Sequence, residues 1–241
     1  MSSLPKNILI RYATAEDADE IVDFMAKNIG KMSPIDRAFK CEEADSRDYY
    51  ESKIRNAIPD GLCSVAVDTS KNNEIIACVL CSIWHRDDSK NRPVVLPTTQ
   101  KAKYIYDIVG ELRNLAWKLL PKDINTVLRG EGMLVKNDYR RMKIGKRLMA
   151  PSKDEDFLRS KGIEGIIGVA TSYANQKNIE NFGSISMAEV SYENFFKAKG
   201  IPFENAFTDE TTKALLTFTP FKSHMNFKPK YTVVRFAKSK L

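Results

Sequence analysis

The chain has 241 residues, 43% of them hydrophobic and 29% charged, which is enough apolar material for one large core and too much for a disordered chain. The net charge of +7 points to an anionic ligand or partner, and a small phosphorylated cofactor meets that charge with fewer assumptions than a nucleic acid. No apolar run reaches the roughly 20 residues that span a membrane. The opening Met1-Ser2-Ser3-Leu4-Pro5-Lys6 has no signal-peptide core, so a cytoplasmic protein is expected.

In chain order, Ile8 to Tyr12 reads as a short strand. Thr14 caps a helix with Glu16 and Asp17 in its first turn, and Ala18, Ile21, Val22, Phe24 and Met25 recur at helical spacing until the helix fades near Gly30. Ser33-Pro34-Ile35-Asp36 is a loop or a new helix start, and a polar helix covers Asp45 to Ala57. Strands follow at Leu62 to Val67 and Glu74 to His85, joined by a hairpin turn at Ser70 to Asn73. Asp87 to Gln100 is a long polar loop of the kind that often carries function. A helix over Tyr104 to Leu119 precedes a strand over Ile124 to Val135.

Met133 to Met149 is the densest basic stretch. An apolar strand end is followed by a polar turn, by Tyr139-Arg140-Arg141-Met142-Lys143-Ile144-Gly145, and by the helix-like run Lys146 to Met149. The first amides of a helix lack partners inside it, and the macrodipole places partial positive charge there, so this pattern suits a phosphate. Basic residues at a helix start are common, however, and one glycine proves little.

Pro151 is expected to break or bend that helix, with a restart near Ser152 running to Gly162. Ile163 to Ala170 is a strand, Thr171 to Phe182 a polar loop and helix ended by Gly183, and Ile185 to Val190 a strand. A helix around Tyr192 to Lys199 and strands at Ala214–Phe218 and Tyr231–Phe236 complete the chain. The expectation is a single domain over residues 1–241, of α/β (α+β) class, with a central mixed sheet and helices on both faces. Cys78 and Cys81 have C-x-x-C spacing, but residues three apart on a strand face opposite ways, so buried free thiols are expected rather than a metal site.

The basic stretch and the element order together resemble the GNAT superfamily of acetyl-CoA-dependent N-acyltransferases. That family's pyrophosphate loop reads Arg or Gln, two residues, Gly, any residue, then Gly or Ala, and here Arg140 to Gly145 carries the Arg, the apolar Ile144 and the last Gly. Lys143 replaces the first glycine. The finer likeness, resting on element order, is to the arylalkylamine N-acetyltransferase-like branch, which includes the dopamine and serotonin enzymes; the sheet it implies is mostly antiparallel.

The resemblance implies direct transfer of an acetyl group from acetyl-CoA, without a metal, to a small amine held in a ternary complex. Cofactor contacts would fall on main-chain groups of Leu134 and Val135 and on Arg140, Arg141, Met142, Lys143, Ile144, Gly145 and Lys146. Glu131, four residues before Val135, stands where relatives carry a histidine or glutamate base; a partly buried carboxylate there is expected to have a raised pKa. It reads equally as a solvated acid between Gly130 and Gly132. In the insect dopamine enzymes the base is a glutamate of a Glu-Pro-Leu-Asn segment, which Ser33 replaces here; Asp36 could substitute. The relatives' acid tyrosine falls on Ile179, and two insect serines fall on Thr171 and Asn175, so Thr171, Asn175 and Tyr173 are the remaining proton donors. Helix capping is the bland account of Thr171, while Asn175 also suits the pantetheine arm.

Three departures, at Lys143, Ser33 and Ile179, keep a second account open: a catalytically impaired protein of this fold that binds CoA or serves as an interaction module. A nucleic-acid partner ranks below both, because the basic residues lack aromatic interleaving and no helix-turn-helix or zinc pattern is present. The acceptor is expected between the early helices, the Asp87–Gln100 loop and the late strands. Phe24, Tyr49, Tyr50, Phe218 and Phe221 supply either an aromatic wall or core. His85 and His224, the only histidines, lie away from the expected base position.

Overall fold

The computed structural model describes residues 4–150 and 154–236. Its organising strand is β3, Glu74–His85, whose alternating side chains feed two separate cores. Ile75, Cys78 and Leu80 face one side; Ile76, Val79 and Cys81 face the other. The C-x-x-C pair is therefore split between opposite faces, and both thiols are free and buried.

β1 (Ile8–Tyr12), β2 (Ser64–Asp68), β3 and β4 (Thr126–Val135) form an antiparallel run in chain order. β5 (Gly165–Ala170) joins β4 in parallel, and β7 (Lys213–Pro220) then inserts between β5 and β6 (Ile185–Ser191), antiparallel to both. β8 (Thr232–Val233) closes the edge, giving the order β1-β2-β3-β4-β5-β7-β6-β8. This is the mixed, mostly antiparallel sheet expected.

One face is covered by α1 (Ala18–Met32), α3 (Glu43–Ala57), α4 (Gln100–Leu119) and α8 (Tyr192–Ala198), through Ile21, Met25, Ile54, Ile108, Leu112 and Phe196. The other is covered by α5 (Ile144–Leu148) and α6 (Glu155–Ser160), through Ile144, Leu148 and Leu158. Two further helices, α2 (Pro34–Ala38) and α7 (Tyr173–Glu180), follow α1 and β5.

Several boundaries differ from expectation for local reasons. α1 does not fade at Gly30 but runs through it; a Cβ there would sit 2.8 Å from the Cys41 carbonyl oxygen, so the glycine serves close approach of the chain. Ser33-Pro34-Ile35-Asp36 resolves as a helix start, with proline at the first position, where its missing N–H is no loss. The expected Tyr231–Phe236 strand shrinks to two paired residues; Val234 makes a last bond to the Glu189 carbonyl before pairing ends. α5 begins at Ile144 rather than Lys146. Pro151 and Ser152, where a break and restart were expected, lie outside the described residues.

Candidate active site

The site begins with Gly130-Glu131-Gly132 on β4. In the β3–β4 register Cys81 faces Gly130 and Leu80 faces Gly132, so Glu131 is the extra residue of a bulge. A bulge bends its strand, and two flanking glycines let the backbone follow. On its other edge β4 pairs with β5 at only two positions, Leu128 with Ile166 and Arg129 with Ile167. Beyond them the strands part.

The gap is a cleft of about 1250 Å³, walled by Gly130–Val135 on one side and by residues 166–170 on the other. Peptide groups of a strand edge that has lost its neighbour are free to bind a ligand's main-chain-like amides. Leu134 and Val135 both lie on this wall.

At one mouth stands the basic loop. Tyr139 anchors it by donating its hydroxyl to Asp68 Oδ2 at 2.7 Å. Arg140, Arg141, Lys143 and Lys146 are exposed, line the cleft, and form no ion pair among the described residues. Arg147 donates its amide to the Lys143 carbonyl, which leaves the amides of Ile144, Gly145 and Lys146 at the open end of the turn. Arg141 and Lys143 take left-handed backbone angles, with φ of 65° and 61°. The lysine in the glycine position thus does meet the angle that makes glycine useful there. Gly145 itself has an ordinary angle; a Cβ on it would reach Met133 and Val135 at van der Waals distance. Ile144 is buried beneath the loop, whereas Met142 is 42% exposed and lies off the cleft wall.

At the C-terminal end of β5 the cleft is lined by Thr171, Asn175 and Ile179. The cap of α7 is Ser172, whose hydroxyl accepts the Asn175 amide, so the bland capping role expected of Thr171 belongs to its neighbour. The Thr171 carbonyl accepts the Tyr192 hydroxyl at 2.7 Å, fixing this corner to α8. Tyr173 is exposed and does not line the cleft.

The inner wall holds a charge cluster. Glu131, with a side chain 2% exposed, accepts Arg113 Nη2 at 2.8 Å, Arg129 Nε at 2.5 Å and the Ser82 hydroxyl at 2.8 Å. Burial pushes its carboxyl up, but Arg113, Arg129 and Lys53 outweigh burial and hold it well below the usual carboxylate range. The raised pKa expected for Glu131 is therefore reversed: burial came with three cations. Glu131 does line the cleft, so the solvated strand-end account does not hold either.

Lys53, one helix away on α3, lines the same cleft with its ammonium 3.7 Å above the Tyr49 ring and 5.9 Å from Tyr50. Burial, reinforced by Arg113 and Arg129 and opposed by Glu131 and Asp36, holds its proton affinity well below that of an ordinary lysine. Asp36 is fully buried behind this wall, with neither carboxylate oxygen in a well-formed hydrogen bond. Burial pushes its carboxyl up to about 6, with Ser33 easing the charge only in part.

Of the five aromatic candidates, Tyr49, Tyr50 and Phe221 line the cleft, while Phe24 and Phe218 are core. The Asp87–Gln100 loop does not line it: Arg92 is tied to Asp60 at 2.6 Å, and the amides of Thr98 and Thr99 are tied to Asp48. The late strand β7 does, through Thr217, Thr219 and Pro220. His85 bonds Thr126 and His224 bonds Asp123, both away from the cleft. Lys53, Arg113 and Arg129 were not singled out from sequence. A lysine and an arginine on polar helices read as solvated faces, and only the Arg129-x-Glu131 alternation on one strand face hints at a pair.

No family model and no curated protein sequence matches the chain. Solved structures do. Arylalkylamine N-acetyltransferase 2 from Aedes aegypti superposes with a TM-score of 0.69 at 14% identity, over 89% of this chain and 99% of that one. The C-terminal condensation domain of Ebony, solved with β-alanyl-dopamine, gives 0.69 at 16% identity, over 91% and 100%. A Drosophila melanogaster polyamine N-acetyltransferase gives 0.62 at 16% identity, over 88% and 98%. At such identities the likeness speaks for architecture: this chain has the fold of the GNAT N-acetyltransferases.

Proposed function

We propose that the protein is an N-acetyltransferase that moves an acetyl group from acetyl-CoA to a small primary amine by direct attack in a ternary complex. The observation that carries this reading is the cleft opened where β4 and β5 part, with a cation-rich loop at one mouth and a buried charge cluster on its inner wall. Neighbours in structure named for arylalkylamines and polyamines support the amine class.

The cleft fits the co-substrate. The open turn amides and the unpaired charges of Arg140, Arg141, Lys143 and Lys146 suit a pyrophosphate, and the free edge at Leu134 and Val135 suits the amide-bearing pantetheine arm. Acetyl-CoA supplies a thioester carbonyl, which needs polarising before an amine can add to it. Main-chain amides of the β4 edge are rigidly placed donors for that task.

An ammonium is not a nucleophile, so the acceptor must lose a proton. Arg113 and Arg129 make the inner wall positive and lower the proton affinity of an amine brought beside them. Glu131 is the acceptor for that proton. It is ionised at every working pH; its Oε1 is filled by Ser82 and Arg129, while Oε2, which accepts only Arg113, retains a lone pair. As the C–S bond breaks, Thr171 and Asn175, across the cleft, are hydrogen-bond donors for the departing thiolate, which takes its proton from solvent. Tyr49, Tyr50 and Phe221 give the acceptor an aromatic surface, which favours an amine that bears an arylalkyl group.

The test is release of CoA thiol with a panel of amines at pH 7 to 9, in the native protein and in Glu131→Gln. Turnover that falls by about a hundredfold or more in the variant supports the scheme. Acetyl-CoA binding with no turnover of any amine leaves the non-catalytic, CoA-binding account in its place.

A further inference from the structure

The inner wall holds more positive charge than the chain itself neutralises. Lys53, Arg113 and Arg129 meet around one ionised acid, Glu131. Two further acids are within electrostatic reach and neither lines the cleft: Asp36 is fully buried behind the wall, and Asp60 is paired with Arg92. Lys53 makes no hydrogen bond or ion pair among the described residues; its ammonium has only the Tyr49 and Tyr50 rings. Arg113 commits one of its five N–H donors to protein, the Nη2 contact to Glu131, and its side chain keeps 20% exposure on the cleft. A buried amino group with no counter-ion, beside a guanidinium fork in a concave and partly desolvated wall, holds its proton best with a planar oxyanion next to it, and so is a site for one. A bare cationic amine would meet repulsion at the same place.

Resting on the acetyltransferase reading above, we infer that the acceptor carries a carboxylate as well as its amine, the carboxylate lying between the Lys53 ammonium and the free edge of Arg113. The amine then points to Glu131 and the open edge of β4, so the wall matches a zwitterion: two cations for one end and a carboxylate for the other. The edge-to-face rings of Tyr49 and Tyr50 line the same cleft, so an aromatic amino acid satisfies both the charge and the surface. Lys53 is a specificity-determining residue in this account, not a group that handles the transferred acetyl.

The experiment compares acceptors that differ only in this group, with CoA thiol release as the readout: phenylalanine against phenylalaninamide, and β-alanine against β-alaninamide, with phenethylamine as a reference. The carboxylates are expected to exceed their amides by about tenfold or more in kcat/KM. Lys53→Met is expected to bring that ratio toward one, by raising KM for the carboxylates rather than lowering kcat, and Lys53→Arg to restore it. Amides or phenethylamine used as well as the carboxylates by the native protein would overturn the inference and leave the acetyltransferase reading standing. Consumption of none of the five would overturn that reading, and this inference with it.

Discussion

At the scale of single residues, the site is governed by what each buried charge is paired with. Glu131 lies under two arginines, and truncating it to alanine leaves both without their ion-pair partner. We expect Glu131→Ala to cost on the order of 3 kcal/mol in a urea titration, the lower end for a buried pair, because each arginine keeps about a fifth of its surface. Its depressed proton affinity also sets the pH profile. If Glu131 takes the amine proton, kcat/KM should rise toward the acceptor amine's own pKa with no limb in the carboxylate range. A limb near pH 6 that vanishes in Asp36→Asn would move the role to Asp36.

Asp36 affects stability in the opposite sense. Its folded pKa, about 6, lies above the unfolded value of 3.8, so between these values the native state binds more protons than the unfolded one. The contribution is fully present below 3.8 and lost as pH rises through 6, on the order of 3 kcal/mol. Thermal melts of Asp36→Asn should lack that decline between pH 4 and 6; an unchanged slope would show that another group titrates. Lys143 carries a smaller strain. Lys143→Gly should stabilise the fold by about 1 kcal/mol, raising Tm by about 2 °C, since glycine adopts a φ of 61° without a Cβ clash.

At the scale of elements, one bulge does much of the shaping. Glu131 is the inserted residue of β4, and pairing with β5 stops at Arg129, two residues earlier. The strand keeps its hydrogen bonds to β3 while its other edge opens, so the fold holds a binding cleft without a gap in its core. The basic loop after β4 stands at the mouth of the cleft so formed. Reversing Arg140 and Lys146 to glutamate together should weaken acetyl-CoA binding by at least about tenfold, or about 1.4 kcal/mol, with the far-ultraviolet spectrum unchanged. An unchanged affinity would place the pyrophosphate elsewhere.

At the scale of the whole molecule, most of the fold was legible because its signals are local. β3 was read to the residue from its apolar run, and α4 to its last turn from period and Pro121. The insertion of β7 between β5 and β6 was not legible, since pairing order is set by packing of distant segments. The basic mouth of the cleft was legible because it is one contiguous stretch, Leu134 to Lys146, from which Met142 alone among the named residues turns away. The inner wall was not: Lys53, Arg113 and Glu131 come from α3, α4 and β4, and only folding brings their charges together. Burial alone predicts a raised pKa for Glu131, and the sequence does not disclose that Arg113 and Lys53 arrive beside it. The measurement that tests the central claim most directly is isothermal titration of the protein with acetyl-CoA, with free CoA and ADP as comparisons. Micromolar binding, about 8 kcal/mol, is the result this account predicts, despite the lysine in the glycine position. No heat from any of the three would contradict it, and would leave the loop without a phosphate to hold.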